Sequence, residues 1–232
     1  GNAPYRRSLV LPNWALQLMV NFGAPHRVIG FGASSADQEY RSAWIAGLQD
    51  APLAIESPAF SDLFSIRFRP GGAHAILPLP LAALTNDVLQ AADILGAAIA
   101  DLRERMVLAS SRADQVRIAE DWLLARLRPR DHDYALVLRA VEALRVLPTR
   151  SCQMSVSATC DQLGLSNKHL IHVFRTMVGL PPKAFARVQR FHQALRRLPS
   201  AGSRAALALE LGYADQAHFN NEFRRFAGVT PR

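Results

Sequence analysis

Short apolar runs occupy the first third of the chain and are interrupted at short intervals by residues that form turns. The runs SLVLP, ALQLMVNF, HRVIGFG and SAWIAGL are separated by proline, glycine, asparagine and aspartate. Such short runs, bounded by such residues, are typical of β-strands. In FSIRFRPGG the apolar residues Phe64, Ile66 and Phe68 alternate with polar ones before a turn at Pro70. Residues 5–80 are therefore predicted to be β-rich.

From about residue 80 the apolar residues recur with helical spacing. We predict helices over 87–109, 112–128 and 132–146. Thr85 or Asn86 could cap the first of these helices, and Asp131 lies near the start of the third. The segment LPTRSCQMS (147–155) has neither period and is predicted to be a linker.

The last part of the chain contains one helical unit twice. Residues 163–182 read LGLSNKHLIHVFRTMVGLPP, and residues 211–231 read LGYADQAHFNNEFRRFAGVTP. From the histidine onward the two segments align without a gap. The matched positions are His169 and His218, Phe174 and Phe223, Arg175 and Arg224, Gly179 and Gly228, and Pro182 and Pro231.

Each copy of the repeat predicts an amphipathic helix with an N-cap, Ser166 in the first and Asp215 in the second. The predicted buried stripes are Leu170, Val173, Phe174 and Met177 in the first copy, and Phe219, Phe223 and Phe226 in the second. Polar side chains lie opposite each stripe. His169 and His218 lie at the edge of the stripes, and we interpret them as structural rather than base-reading.

A shorter predicted helix precedes each copy, VSATCDQL (156–163) before the first and RAALALEL (204–211) before the second. A helix, a turn that contains glycine and a second helix form a helix-turn-helix unit. In that unit the second helix enters the DNA major groove. A longer helix over 181–198, begun by proline, connects the units. Two rigidly joined units could enter successive major grooves about 34 Å apart.

Charge supports a polyanionic partner for this part of the chain alone. Residues 1–146 hold fifteen basic and fifteen acidic residues, whereas residues 147–232 hold twelve and four. The formal net charge of +8 therefore comes from the C-terminal region. Half of the 232 residues are apolar, which is typical of a globular chain, and no apolar run reaches membrane-spanning length.

Residues 150–232 resemble the AraC/XylS family of bacterial transcription regulators, most closely in ALALELGYADQAHFNNEFRRFAGVTP. The resemblance implies seven helices, two helix-turn-helix units, binding to double-stranded promoter DNA and a cytoplasmic, nucleoid-associated protein. It also makes contact with RNA polymerase plausible. Such domains normally extend a few residues beyond the position of Arg232. The N-terminal segments 11–23 and 68–96 resemble a poorly characterised, cupin-like β-domain that precedes the same module in other regulators.

The resemblance also implies which residues contact DNA. The base-reading positions correspond to Asn167, Lys168, Ile171, His172, Gln216, Ala217 and Asn221. The phosphate contacts correspond to Ser166, Arg175, Lys183, Arg190, Arg224 and Arg225. Many relatives have arginine at the positions of His172 and Asn221. Asparagine prefers adenine, whereas arginine reads guanine, so we expect either a different, more A/T-leaning site or weaker binding.

The sequence therefore predicts an α+β chain with two domains. Residues 1–146 would form a β-rich sensor or dimerisation domain with C-terminal helices, controlled by an unknown small-molecule effector or by homodimerisation. Residues 150–232 would bind DNA. We expect no enzyme activity, no cofactor and no metal. The two cysteines, Cys152 and Cys160, match neither a disulfide framework nor a zinc site.

Two other classes of protein remain open. His26, Glu39 and His74 could be ligands of a metal-dependent β-barrel enzyme with a DNA-targeting tail, although they lack tight ligand spacing. Stoichiometric metal in the purified chain would favour that class. Alternatively, the repeat could bind a partner protein, and partner binding that is insensitive to salt would favour that class.

Overall fold

The β-strands of the N-terminal region form two antiparallel sheets. The structure is a computed structural model that describes residues 5–30, 37–128, 132–145 and 156–231. Its strands are β1 (Tyr5–Val10), β2 (Gln17–Asn21), β3 (His26–Val28), β4 (Gln38–Tyr40), β5 (Ala43–Ala46), β6 (Leu53–Pro58), β7 (Leu63–Arg67) and β8 (Val88–Gln90). One sheet has the order β1-β6-β3-β4, and the other has the order β7-β2-β5-β8.

Alternation along the strands gives each sheet two different faces. Leu18 and Val20 of β2 and Ile45 of β5 face the main apolar core, whereas Trp44 packs in a second cluster between the sheets. Tyr40 of the other sheet joins that second cluster and donates a hydrogen bond to the carbonyl oxygen of Val88 at 2.5 Å. The β-rich prediction for residues 5–80 is confirmed, and β6 is a strand that the sequence analysis did not single out.

Beyond the last strand, the described residues are mainly helical. These helices are α1 (Ala91–Leu95), α2 (Ala97–Val107), α3 (Arg112–Leu124), α4 (His132–Arg145), α5 (Val156–Leu163), α6 (Asn167–Met177), α7 (Pro182–Arg197), α8 (Arg204–Glu210) and α9 (Gln216–Ala227). Short 3-10 turns span Gly72–Ala75, Leu81–Leu84 and Leu198–Ser200.

The prediction of a single helix over 87–109 is wrong about where the helix starts and about its continuity. Residues 88–90 form β8, which pairs with β5, and the helix then breaks at Gly96, whose φ is 60°. Asn86 does not cap a helix. It adopts a left-handed φ of 55° and uses its side chain to bind the backbone and carboxylate of Asp50. Pairing with a sheet distant in sequence overrides local helix propensity here.

One apolar core runs from the β-region into the helical region. It includes Leu18 and Leu81 of the N-terminal part as well as Phe185 and Phe226 of the C-terminal part. Helix α4, which the predicted boundary assigns to the N-terminal domain, packs against α5, α6 and α7. The predicted linker, 147–155, and Cys152 lie outside the described residues.

Candidate nucleic-acid interface

The two copies of the repeat form the same turn between their helices. Gly164 and Gly212 follow α5 and α8 with left-handed φ angles of 66° and 76°. The amide of the next residue donates a hydrogen bond back across the turn. The Leu165 amide donates to the carbonyl oxygen of Cys160 at 2.9 Å, and the Tyr213 amide donates to that of Ala208 at 3.0 Å. This arrangement ends a helix, and glycine adopts its φ without a steric penalty. Each copy is therefore a helix-turn-helix unit.

The second helix of each unit begins at the predicted N-cap. The Ser166 hydroxyl accepts a hydrogen bond from the amide of His169 at 3.2 Å, and the Asp215 carboxylate accepts one from the amide of His218 at 2.7 Å. These bonds satisfy amides that have no partner within the helix. The local sequence thus fixes where each recognition helix starts.

Both predicted apolar stripes are buried. In α6 the buried residues are Leu170, Val173, Phe174 and Met177, and in α9 they include Phe219, Phe223 and Phe226. The rings of Phe174 and Phe185 pack edge to face at 5.8 Å, and Phe191 packs between Phe223 and Phe226. The connecting helix α7 therefore supports both recognition helices.

The faces opposite these stripes are open to solvent. The predicted base-reading residues that are exposed are Asn167, Lys168, Ile171, His172, Ala217 and Asn221. Gln216 is half-buried, and the amide oxygen of Asn167 lies 3.2 Å from the Cys160 thiol, which can donate to it. Each helix thus presents its predicted reading face outward.

The predicted phosphate-binding residues differ in whether their side chains already have partners within the protein. Arg175, Lys183 and Arg224 are exposed and form no ion pair with any residue that the structure describes. Ser166 is exposed but uses its hydroxyl as the N-cap of α6. Arg225 lies 3.4 Å from the Asp50 carboxylate of the β-region. Exposed arginine and lysine side chains without an ion-pair partner are suited to contacts with phosphate.

Arg190 is turned inward instead. It is half-buried on α7, donates a hydrogen bond to the carbonyl oxygen of Gly212 at 3.0 Å and lies over the ring of Tyr213. The Arg190 guanidinium is therefore occupied by contacts within the protein. It could bind a DNA phosphate, as predicted, only if these contacts broke.

The sequence analysis missed a buried carboxylate on α9. The side chain of Glu222 is only 5% exposed, and its Oε2 accepts a hydrogen bond from Arg187 Nε at 2.7 Å. Arg190 Nε lies 3.6 Å from its other oxygen. Burial raises the pKa of the neighbouring Tyr213 hydroxyl above its ordinary value, and the charge of Glu222 raises it further. The position of Glu222 beside Phe223, at the edge of an aromatic stripe, was the available signal.

The two histidines at matched positions interact with the protein itself. His169 Nε2 lies 3.4 Å from the Asp133 carboxylate of α4. The His218 ring packs edge to face on Tyr213 at 5.3 Å, and its Nδ1 lies 3.4 Å from the amide of Ala214. These contacts support a structural role for both residues.

The arrangement defines a class of protein, one with two helix-turn-helix units carried by a single chain on a shared helix. Residues 159–232 match the family described as "Helix-turn-helix domain". Residues 2–90 match a second family, described as "Domain of unknown function (DUF6597)". The first match covers the C-terminal part of the chain and agrees with its sequence resemblance to AraC-type helix-turn-helix domains.

Solved structures of ToxT from Vibrio cholerae are similar to the whole chain. An apo variant of ToxT is 10% identical with a TM-score of 0.47, and 99% of this chain and 96% of that chain are covered. ToxT with an unsaturated fatty acid bound is 10% identical with a TM-score of 0.48, and the coverage is 99% and 94%. No curated protein matches the chain.

The residues considered for a metal site do not come together. His26 Nδ1 lies 3.2 Å from the Ser57 hydroxyl, and Glu39 pairs with Arg27 and Arg41. Nowhere in the described ranges do three or more histidine, cysteine or acidic side chains form a group that could hold a metal ion. None of the helices in those ranges has the length and apolar character needed to cross a membrane.

Proposed function

We propose that the chain is a sequence-specific transcription regulator that places α6 and α9 in successive major grooves of promoter DNA. The observation that carries this proposal is the pair of outward, solvent-exposed helix faces above two buried stripes. The positive net charge of the same region supplies attraction for the DNA backbone.

In this proposal one group of residues contacts bases and another contacts phosphates. Lys168, His172 and Asn221 reach base edges and set the sequence preference, and Ile171 contacts apolar features such as a thymine methyl group. Arg175, Lys183 and Arg224 contact phosphates and make binding dependent on salt. Arg190 and Arg225 join the second group only where they leave their partners within the protein.

We propose further that the N-terminal region forms a homodimer through α3. Val116 and Leu124 lie exposed on one side of α3 at helical spacing, away from the buried Gln115, Ala119 and Trp122, and the exposed Leu127 follows the end of the helix. The side chain of Leu124 is 68% exposed. An exposed apolar stripe of this kind is characteristic of a surface that another chain covers. Control by a small-molecule effector, contact with RNA polymerase and association with the nucleoid stay predictions.

The experiment that tests DNA recognition starts with selection of bound duplexes from a random pool. Lys168→Ala and Asn221→Ala are then compared with the wild type on the selected duplex and on a scrambled one. Each substitution should reduce the preference for the selected duplex by roughly 1–3 kcal/mol, since each removes one base contact.

Gln162→Ala, on the exposed face of α5, is the control and should leave the preference unchanged. Equal discrimination by the wild type and both recognition variants would contradict the assigned base contacts. Failure of the wild type to select any duplex would contradict the proposed function itself.

A further inference from the structure

We propose that Glu222 is a positioning residue that fixes the rotation of the second recognition helix, α9, about its own axis against α7. The proposal rests on the DNA-binding function above and assigns a role within it to a residue that does not face DNA. Glu222 adjoins Asn221, so any rotation of α9 moves the predicted reading side chains with it.

The ion pairs of Glu222 hold α9 to two successive turns of α7. Arg187 and Arg190 are three residues apart on α7 and therefore lie on the same face of that helix. Arg187 Nε donates to Glu222 Oε2 at 2.7 Å, and Arg190 Nε lies 3.6 Å from Oε1. Oε2 accepts a charge-assisted hydrogen bond, whereas Oε1 has the Arg190 ion pair but no hydrogen-bond partner among the described residues. The directed bond at Oε2 orients the carboxylate, which a contact between apolar side chains does not do.

Each arginine also makes a second contact, which fixes its own position. The Arg187 guanidinium lies 5.4 Å from the centre of the Phe226 ring, and that of Arg190 lies 4.5 Å from the centre of the Tyr213 ring. Arg190 additionally donates to the carbonyl oxygen of Gly212 in the turn between α8 and α9. One buried carboxylate therefore ties together the connecting helix, the turn and the recognition helix.

The first copy of the repeat shows that packing alone does not require this charge. Glu222 follows His218 by four residues, and the residue four after His169 is Val173, which is buried. The helix-turn-helix unit thus accepts an apolar residue at this position. The first unit is instead held from outside, where the Thr85 hydroxyl donates to the carbonyl oxygen of Gly179 at 2.5 Å. The second unit also meets the β-region, through Arg225 and Asp50, and the buried charged cluster adds to that contact.

A small rotation of α9 would be enough to disturb base reading. On a helix whose diameter with side chains is about 10–12 Å, a rotation of about 20° moves the tip of a side chain by about 2 Å. That displacement exceeds the tolerance of a hydrogen bond to a base edge. Losing Glu222 should therefore affect the second half-site more than the first.

The test compares full-length wild type with Glu222→Val, which imitates Val173, and with Glu222→Gln, which keeps the shape of the side chain. Glu210→Gln, an exposed acid on α8, is the matched control. The probes are the duplex selected by the wild type, the same duplex with one base pair inserted between the half-sites, and versions with either half-site scrambled. Circular dichroism establishes that each variant is folded.

We expect both Glu222 variants to bind the selected duplex at least roughly tenfold more weakly and to lose most of their preference for the second half-site. Their preference for the first half-site should be unchanged, and the penalty for the inserted base pair should become smaller. An equal loss of affinity for every duplex would overturn the positioning role. The same holds if the ratios of affinities between the duplexes equal those of the wild type. Absence of any selected duplex with the wild type would instead overturn the proposed function, and this role with it.

If Glu222→Val does not fold, Arg187→Lys gives the same test, because lysine keeps the charge but cannot reproduce the geometry of the guanidinium. This variant should show the same selective loss of preference for the second half-site. Neither a change of salt concentration nor a higher protein concentration should restore that preference. An Arg187→Lys protein with wild-type ratios on all four duplexes would overturn the proposal as well.

Discussion

Single side chains decide where both recognition helices begin and which of their residues stay free for DNA. Ser166 and Asp215 were recognisable as N-caps because capping depends on residues only a few positions away. Arg190 was not recognisable as an inward-facing residue. Its partners, Gly212 and Glu222, lie more than twenty positions further along the chain.

Loss of an N-cap gives a prediction at this scale. Asp215→Ala should lower the free energy of unfolding by about 0.5–2 kcal/mol, because the amide of His218 loses its acceptor. Urea denaturation followed by circular dichroism measures the change. Gln162→Ala is exposed and caps nothing, so it should change stability by less than about 0.5 kcal/mol. Equal effects of the two substitutions would refute the capping role.

The sequence-based prediction of secondary structure agrees with the structure better for the C-terminal helices than for the region around residue 90. The periods of α6, α7 and α9 are clear in the sequence, since each helix has one buried and one exposed side. In contrast, Val88–Gln90 forms strand β8 because β5 offers an unpaired edge. That edge exists only once the sheet has formed, so local spacing does not reveal it.

The apolar stripe on α3 gives a prediction for one element. Leu124→Glu should weaken self-association roughly ten- to a hundredfold, because burial of a leucine side chain is worth about 1.5–3 kcal/mol. Size-exclusion chromatography with light scattering, over a series of concentrations, measures the mass in solution. Leu209→Glu alters a leucine of α8 that is 63% exposed and should leave the mass unchanged. A wild type that is monomeric at every concentration would rule out this dimer.

The whole molecule is organised around contacts between the β-region and the helix-turn-helix units. His192 of α7 lies with its Nε2 2.6 Å from the carbonyl oxygen of Pro12, and its ring packs edge to face on Trp14 at 4.3 Å. Thr85 reaches Gly179, and Asp50 reaches Arg225. Helix α4 packs with α5, α6 and α7, and we propose that it belongs to the DNA-binding region rather than to the N-terminal domain.

The contact at His192 should depend on pH. Burial lowers the pKa of His192, the charges of Arg196 and Arg67 lower it further, and the hydrogen bond to Pro12 opposes them. The unfolded chain therefore binds a proton at a higher pH than the folded chain does. Stability is fully present above the ordinary histidine pKa of about 6.5 and is lost as the pH falls from there through the lower pKa of the folded state.

Urea midpoints between pH 8 and pH 5 test this dependence. His192→Gln, whose amide can still donate to Pro12, should lose less stability than the wild type over that range. His26, whose pKa is also lowered by burial, is present in both proteins and cancels in the comparison. Identical pH profiles for the two proteins would show that His192 does not titrate in this way.

The sequence by itself determined the repeated units, their caps, their buried stripes and the concentration of positive charge in the C-terminal region. These features depend on helical periodicity and composition, which act over a few residues. Only the tertiary structure decided that Glu222 is buried between Arg187 and Arg190, that Arg225 meets Asp50, and that residues 88–90 join a sheet. Each of these depends on a partner far along the chain, which is brought close only when the two regions pack on one core.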